Sequence, residues 1–292
     1  MKKILLVGFY GCGNLGDDAL LFALLSRYKR EEYHVTVTMG REKLHGFSLP
    51  CEIKAVYRKG FSMICSLLRS DNVIFGGGSL LQNTTGQASL CYYLFLILLS
   101  KLFHKRVYLI SAGLGPIRGK FSRRLCGKIV SLCDGITLRD RRAIALAEEI
   151  GVKGCAYARD LAYGICSTGH SISLPTRYIL VIPRWKTGIS SKIFANEIYR
   201  KALRHRASPV LADFFPLEDA EYTMAISGHL SSLGLLPCIL PRLSPSEMLS
   251  VVKNAVFVLS MRYHGAVFAS SMGVPFRIYG NDPKLLAIEE ER

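Results

Sequence analysis

Short apolar runs alternate with helix-length segments along the chain. Runs of Val, Ile and Leu that are apolar at nearly every position are typical of parallel strands covered on both faces. We place strands near Lys3–Val7, His34–Met39, Asn72–Phe75, Val107–Ser111, Ile136–Arg139, Tyr178–Ile182, Pro209–Phe214, Cys238–Leu240, Ala255–Ser260 and Phe276–Tyr279. We place helices near Asp17–Tyr28, Ser89–Phe103, Phe121–Cys133, Arg141–Ile150, Ile193–Arg204, Glu218–Leu233, Pro245–Val252 and Gly265–Met272. The alternation predicts an α/β fold of two Rossmann-like, doubly wound domains facing a cleft.

One break interrupts the alternation. Between Gly164 and Pro175 the residues are mostly Ser, Thr, Gly and His without periodicity, and such stretches are loops. The break predicts a first domain over residues 1–165 and a second over residues 175–292. Open α/β sheets bind ligands beyond the carboxyl ends of their strands, so the candidate chemistry is expected in the loops there.

The charge balance indicates an anionic partner. Lys and Arg number 38 against 22 Asp and Glu, a formal net charge of +16. The basic residues run from Lys2 to Arg292 without a recognisable module, which disfavours nucleic acid. The nine cysteines form no Cys-x-x-Cys pair and sit mostly in apolar runs, which predicts buried thiols and a cytoplasmic location.

The most apolar segment is Leu90–Leu99, about half of the ~20 residues that span a bilayer. It predicts a buried helix. Basic residues follow it at Lys101, Lys105 and Arg106, and again between Arg118 and Lys128. Two interpretations stay open: a solvated surface beside an ordinary core helix, or a peripheral contact with the inner face of the membrane.

The first strand is followed by a glycine-rich loop in which Gly11, Gly13 and Gly16 spell G-x-G-x-x-G. The acidic pair Asp17-Asp18 directly after the third glycine argues against a pyrophosphate, and the second strand ends in Gly40-Arg41 without a ribose-binding acid. Arg41 leaves an NADP site weakly open. The alternative is that Asn14 and Asp17 bind sugar hydroxyls or accept a proton. The simpler interpretation of Asp17 is that it caps a helix.

Two further glycine turns leave predicted strands. Gly76-Gly77-Gly78-Ser79 exposes backbone N–H groups against which an anion or a sugar can rest. Gln82 and Asn83 follow with amides suited to hydroxyls or to turn formation. The third turn, Ser111–Pro116, contains Gly113 and Gly115.

Cationic residues mark three more strand ends. Arg139 can bind a carboxylate or phosphate with two parallel hydrogen bonds, or pair with Asp140 or Asp160. Arg262 and His264 stand where a strand enters a helix, a point at which anions bind and a histidine can handle a proton. Lys284 follows the last strand in Asn281-Asp282-Pro283-Lys284 and can reach the same anion.

In their order, these motifs resemble the polysaccharide pyruvyl transferases, of the bacterial cell-wall polysaccharide type. The resemblance rests on the Gly11–Asp18 loop, the Gly76-Gly77-Gly78 and Gly113-Leu-Gly115-Pro116 turns, Arg139-Asp140, Arg262-Tyr-His264 and Asp282-Pro283-Lys284. It implies a fold similar to the glycosyltransferase B type, phosphoenolpyruvate as donor, and no required metal or cofactor. Arg139, His264 and Lys284 match the positions that hold the donor in that family.

The resemblance also has departures. Ala143 stands where the family often has serine, Leu161 where proline is common, and Asn83 where aspartate is frequent. These put the acceptor site in doubt more than the donor site. Similar proteins continue with further helix beyond Glu289–Arg292, so a shortened C-terminal helix is expected.

The expected reaction joins pyruvate to a sugar as a cyclic ketal and releases phosphate. Arg139, Arg262 and Lys284 would hold the donor, His264 would protonate its enol carbon, and Asp17 would take a hydroxyl proton. The expected acceptor is a saccharide on a lipid carrier. The rivals are a nucleotide-sugar glycosyltransferase of the same fold and a non-enzymatic lipid- or partner-binding protein.

Overall fold

The computed structural model describes residues 1–28, 32–42, 44, 47–84, 86–169, 172–280 and 288. Contacts divide the chain into two compact units, Met1–Cys12 with Asp17–Leu161, and Gly13–Gly16 with Ala162–Arg292. Each unit contains one sheet whose strands all pair in parallel. This arrangement confirms the expected α/β class.

The first unit is built on a seven-stranded sheet with strand order β3-β2-β1-β4-β5-β6-β7. Its strands are β1 Lys2–Val7, β2 Tyr33–Met39, β3 Lys54–Tyr57, β4 Asn72–Gly76, β5 Arg106–Ala112, β6 Gly135–Leu138 and β7 Cys155–Tyr157. Its helices are α1 Leu15–Leu25, α2 Phe61–Arg69, α3 Gln87–Leu102, α4 Lys120–Val130 and α5 Arg141–Glu149. The order reverses between β1 and β4, which makes the loops after these two strands the expected ligand edge.

Helices α2 to α5 lie on one face of this sheet. Their buried residues, such as Leu67, Ile97, Val130 and Ala147, form a single core with alternate residues of the strands. Right-handed crossovers that move in one direction across a parallel sheet place their helices on the same face. The outward sides of α2, α3 and α4 therefore all point away from that face.

The second unit has a five-stranded sheet with strand order β10-β9-β8-β11-β12. Its strands are β8 Tyr178–Ile182, β9 Ser208–Leu211, β10 Cys238–Ile239, β11 Phe257–Ser260 and β12 Phe276–Ile278. Its helices are α6 Ser191–His205, α7 Pro216–Ser232, α8 Pro245–Asn254 and α9 Tyr263–Ser271. The order reverses between β8 and β11, again in the Rossmann manner.

Three elements were not predicted from the sequence: β3, α2 and β7. In β3 only Val56 is buried, and β7 has no fully buried residue. Both are edge strands, which are stabilised by pairing with one neighbour and bury few of their own side chains. Such strands leave no apolar run in the sequence.

Two expectations concern solvent exposure. All nine cysteines are free thiols, but only Cys126 is fully buried, and Cys91 and Cys166 are exposed. The apolar segment Leu90–Leu99 lies within α3, a helix of 16 residues. Within the described ranges, no helix combines the length and hydropathy needed to cross a membrane.

Candidate functional site

The carboxyl edge of the second sheet carries a cluster of charged side chains. Arg184 follows β8, Asp213 follows β9 and Arg262 follows β11, and these three strands are neighbours in the sheet. Parallel strands bring their carboxyl ends to the same edge. The sequence pattern indicated Arg262 only: Arg184 stands just after the predicted strand Tyr178–Ile182, and Asp213 falls inside the predicted strand Pro209–Phe214, which in the structure ends at Leu211.

Arg262 is held by the first turns of α7. Its Nε donates to Asp219 Oδ2 at 2.7 Å and its Nη2 lies 2.5 Å from the same oxygen. Its guanidinium carbon lies 5.5 Å from the centre of the Phe215 ring, within cation–π range. Asp219 is fully buried and also accepts the backbone N–H of Trp185 at 3.2 Å. Asp219 therefore fixes the guanidinium while tying down the loop after β8.

Burial works against the charged forms of Arg262, Asp219 and Asp213. It lowers the pKa of Arg262, an effect that the Asp219 carboxylate opposes and the neighbouring Arg184 guanidinium reinforces. Burial raises the pKa of Asp219 despite Arg262, and raises the pKa of Asp213, which accepts the Thr223 hydroxyl. Two like-charged guanidiniums share this edge, which suits an anionic ligand that would relieve their repulsion.

His264 lies in the first turn of α9, two residues after Arg262. A Cβ added to Gly16 would lie 2.1 Å from His264 Nδ1 and 2.6 Å from Cγ. The imidazole thus packs directly on the backbone of Gly16, and it also meets the Tyr263 ring in a T-shaped contact at 5.2 Å between centroids. The third glycine of the G-x-G-x-x-G loop makes room for a histidine side chain.

The loop residues Gly13–Gly16 group with the second unit, whereas the sequence-based boundaries place them in the first domain. The reason is local contact: Leu15 N donates to Phe214 O at 2.8 Å, and Gly16 meets His264. Asn14 stands just before α1, and its Oδ1 accepts the Gly16 N–H at 3.1 Å. Asn14 therefore serves as the helix cap, the role considered for Asp17.

In the first unit, Asp17 lies beside the turn after β4. A Cβ on Gly78, whose φ is +70°, would lie 3.1 Å from Asp17 Oδ1. Burial raises the pKa of Tyr10, and the Asp17 carboxylate adds to that rise. The next acid, Asp18, is fully buried and accepts the Gly11 N–H at 2.8 Å. Asp17 is thus the acid that lies beside the turn at the carboxyl end of β4, while Asp18 holds the loop.

Arg139 pairs with Asp160, one of the two acidic partners that the sequence left open. Its Nη1 lies 3.0 Å from Asp160 Oδ2, its Nη2 donates to Ser79 Oγ at 2.8 Å, and Asp140 lies at 3.9 Å. The side chain is only 3% exposed, and it packs on Gly113, where an added Cβ would lie 3.1 Å from Nε. Arg139 joins three loops of the first unit, and its part in donor binding stays a prediction.

The amides predicted for sugar hydroxyls have partners within the protein. Asn83 Nδ2 donates to Gln87 Oε1 and Arg118 O, and its Oδ1 accepts the Arg118 N–H at 2.8 Å. Gln82 is buried and its Oε1 accepts the Thr84 N–H. Gly77 and Gly115 adopt positive φ in their turns, and Gly77 N donates to Ile110 O. These residues shape the turns at the sheet edge.

Arg58 is a residue that sequence analysis missed, because it follows the unpredicted strand β3. Its guanidinium donates to Cys12 Sγ at 3.4 Å and to Tyr93 Oη at 3.2 Å, and it lies 4.7 Å from the centre of the Phe9 ring. Burial raises the pKa of the Cys12 thiol, and Arg58 partly offsets the rise. The charges of Arg58 and Asp17 both act on the Tyr93 hydroxyl, so Arg58 places a cation in the part of the first unit that contains Asp17.

Lys284, with Asn281 and Asp282, lies outside the described residues. Among the residues that are described, no three His, Cys, Asp or Glu side chains gather as a metal site. The predicted catalytic and donor-binding side chains that are described divide between the two units. Asp17 and Arg139, with Gly78 beside Asp17, belong to the first unit, and Arg262 and His264 belong to the second.

The two Rossmann-like sheets define an α/β protein of the glycosyltransferase B type, with Arg184 and Arg262 at the carboxyl edge of its second sheet. The chain belongs to the polysaccharide pyruvyl transferase family, whose family model matches residues 14–283. This confirms the resemblance drawn from the motifs. No curated protein matches the sequence.

Solved structures of UDP-N-acetylglucosamine 2-epimerases share the fold. The enzyme from Methanocaldococcus jannaschii superposes with a TM-score of 0.60 at 13% identity, over 99% of this chain and 92% of the other. The Neisseria meningitidis enzyme bound to UDP-GlcNAc gives 0.58 at 17% identity, over 98% and 85%. The Rickettsia bellii enzyme gives 0.58 at 13%, over 94% and 78%. At these identities the likeness concerns the fold alone.

Proposed function

We propose that this protein transfers pyruvate from phosphoenolpyruvate to two hydroxyls of a sugar in a surface or cell-wall polysaccharide precursor, in the cytoplasm. Family membership supports the reaction class. The observation that supports phosphoenolpyruvate as the donor is the position of two guanidiniums, those of Arg184 and Arg262, at the ends of adjacent strands. Arg262 also stands at the N-terminus of α9. A phosphate and a carboxylate are the groups that guanidiniums and helix N-terminal amides bind best.

The reaction can be written with His264 as the acid. His264 protonates C3 of phosphoenolpyruvate, which leaves C2 open to attack by the first sugar hydroxyl. The bond from C2 to the phosphate oxygen then breaks, phosphate departs with one proton, and the second hydroxyl attacks C2 to close the ketal. The two hydroxyls lose two protons in all, one replacing the proton given to C3 and one leaving with phosphate. No oxidant or metal is needed for this balance.

On the acceptor side we assign Asp17 as the base that takes a hydroxyl proton. Its position beside Gly78 supports this, because the glycine turn lets a sugar approach the carboxylate closely. Arg58 lies on the same side and suits an anionic group of the acceptor, such as the diphosphate of a lipid carrier. Arg139 would support the site by holding the three loops in place.

The alternative is a nucleotide-sugar-dependent glycosyltransferase. Its support is the fold shared with an epimerase bound to UDP-GlcNAc and the exposed Trp185 beside Arg184, since an exposed aromatic ring can stack on a nucleobase or a sugar. The two proposals differ in which donor binds the free protein.

Phosphoenolpyruvate is expected to raise the melting temperature in buffer containing EDTA, because the donor contacts proposed here are guanidiniums and amides rather than a metal. At a concentration of about 100 times Kd the gain is about 2.7 kcal/mol. Differential scanning fluorimetry and calorimetry with phosphoenolpyruvate, UDP-GlcNAc and inorganic phosphate measure it. Stabilisation by UDP-GlcNAc alone would favour the glycosyltransferase, and binding that requires Mg²⁺ would contradict the metal-free site.

Asp219→Asn is expected to raise the KM for phosphoenolpyruvate by roughly 10–100-fold, because a hydrogen bond to a charged group contributes about 1.5–3 kcal/mol. The amide keeps the Trp185 contact but no longer fixes Arg262. The melting temperature should fall too, since Arg262 loses its buried counter-charge. KM is the right measure because it does not depend on the fraction of folded enzyme.

The matched control is Glu218→Gln, the same change one residue earlier. Glu218 lies 4.0 Å from Arg262 Nη2 and pairs with the half-exposed Lys186, so its effect on KM should stay below about threefold, as for exposed pairs. Equal effects of the two variants would mean that general charge, not the orientation of Arg262, sets donor affinity. An unchanged or lower KM in Asp219→Asn would remove Asp219 as the positioning residue.

A further inference from the structure

The outward side of helices α2, α3 and α4 exposes large apolar side chains. On α3 the exposed positions 95, 98 and 102 follow helical spacing, and each neighbouring helix has an exposed phenylalanine in its first turn. The six residues, 46–80% exposed, are Phe61, Phe95, Leu98, Leu102, Phe103 and Phe121. We call them the apolar face. Because α2, α3 and α4 cover the same side of the first sheet, the six point away from it together.

Basic side chains accompany the apolar face. Exposed basic side chains in this region include Arg69, Arg106, Lys120, Arg124 and Lys128. No acidic residue occurs in α2, α3 or α4, and Asp71 is the single acidic residue between Glu52 and Asp134. Exposed aromatic and leucine side chains mixed with Lys and Arg are typical of surfaces that lie in the interface of a bilayer.

We propose that the apolar face docks on an anionic lipid bilayer, with Phe61, Phe95 and Phe121 entering the headgroup region and Lys120, Arg124 and Lys128 contacting lipid phosphates. The charge pattern favours this occupant over a second copy of the chain. A two-fold dimer brings a patch against itself, and here that would oppose basic residues with no acid on the three helices to pair with them. A bilayer supplies the negative charge and accepts the rings.

The binding does not depend on pyruvyl transfer, so it is measured without substrates. Purified protein is floated with vesicles of phosphatidylcholine alone, or of phosphatidylcholine with phosphatidylglycerol. We expect partition into the anionic vesicles at low salt to exceed that into neutral vesicles at least tenfold. It should weaken in 1 M salt, where screening acts over about 3 Å. Protein that stays unbound to anionic vesicles at low salt overturns the proposal.

A charge-reversal variant locates the surface. Lys120→Glu with Arg124→Glu and Lys128→Glu should lower partition by about a hundredfold, since each basic residue near an anionic surface contributes roughly fivefold. The control reverses three exposed basic residues of the second unit, Lys192, Arg204 and Lys253. If the control loses binding to the same extent, net charge alone drives it and the proposed face is wrong.

An apolar variant separates lipid insertion from self-association. Phe61→Ser with Phe95→Ser and Phe121→Ser should abolish the part of the binding that survives high salt, while Ile193→Ser with Leu203→Ser and Leu236→Ser in the second unit should keep it. All six side chains are exposed, so the melting temperature should hold in both variants. Sedimentation that shows a wild-type dimer converted to a monomer by the first variant, without lipid binding, would identify a self-association face instead.

Discussion

Replacing His264 with alanine is expected to lower the turnover of pyruvyl transfer by about 10²–10⁴-fold, the usual contribution of a positioned general acid. The Kd for phosphoenolpyruvate should change by less than about threefold, because Arg184 and Arg262 remain. The measurement is phosphate release with a saccharide acceptor at saturating donor, alongside calorimetric titration of the donor. Near-normal turnover would end the assignment of His264 as the acid.

His229→Ala serves as the control, since His229 lies on α7 of the same unit, away from the strand ends. It should leave turnover unchanged. Running the wild-type reaction in deuterated water tests the chemistry itself: protonation of C3 by an exchangeable acid should place one deuterium in the product methyl group. A product methyl without deuterium would contradict protonation at C3, whichever residue is responsible.

Most of the fold could be predicted because its central strands are buried on both faces. Strands such as Tyr178–Ile182, in which every residue is buried, leave continuous apolar runs in the sequence. The edge strands β3 and β7 leave no such run, because their side chains are largely exposed. Arg58 escaped prediction for the same reason, because it stands at a strand end only once β3 is recognised.

The site could be predicted only in part. Sequence reasoning identifies which residues stand at strand ends, and so found Arg262, His264 and Asp17. It cannot identify their partners, because these are distant in the chain: Asp219 reaches Arg262 from another helix, and Ser79 reaches Arg139 from another loop. The choice between an anion-binding and an ion-paired Arg139 depended on Asp160, whose position no local pattern gives.

The glycine loop shows how one motif can serve different chemistry. Gly11, Gly13 and Gly16 have the spacing of a dinucleotide fingerprint, in which the third glycine permits close packing of helix and strand. Here the space at Gly16 is taken by the imidazole of His264. In dinucleotide-binding loops, the missing side chain lets helix and strand pack closely. In this protein it makes room for a candidate catalytic group.

Gly16→Ala is therefore expected to lower kcat/KM by about a hundredfold, the typical cost when a catalytic group is displaced by 1 Å. The new methyl would lie 2.1 Å from His264 Nδ1 and 2.9 Å from its Cβ, far inside the 3.5–4.0 Å of a normal carbon contact. Because even the root of the side chain is too close, rotation of the ring cannot relieve the clash and the residue itself must shift.

The control is Gly228→Ala, in the helix α7, where an added Cβ meets no atom within 4 Å. It should leave activity unchanged and stabilise the fold by about 0.5–1 kcal/mol, the helix preference of alanine over glycine. If Gly16→Ala behaves like this control, the packing of His264 on Gly16 has no bearing on catalysis.

A double-mutant cycle shows whether the effect passes through His264. His264→Ala removes Nδ1 and Cγ, the two atoms nearest to the new methyl, so Gly16→Ala should cost less unfolding free energy in that background than in wild type. Residues in contact typically show interaction energies of about 0.5–3 kcal/mol in such cycles. Chemical denaturation of the four proteins gives the number without relying on activity, which the His264 variant has already lost. An interaction energy of zero would mean that Gly16→Ala acts on α1 alone, and the loss of kcat/KM would then need a cause other than the displacement of the imidazole.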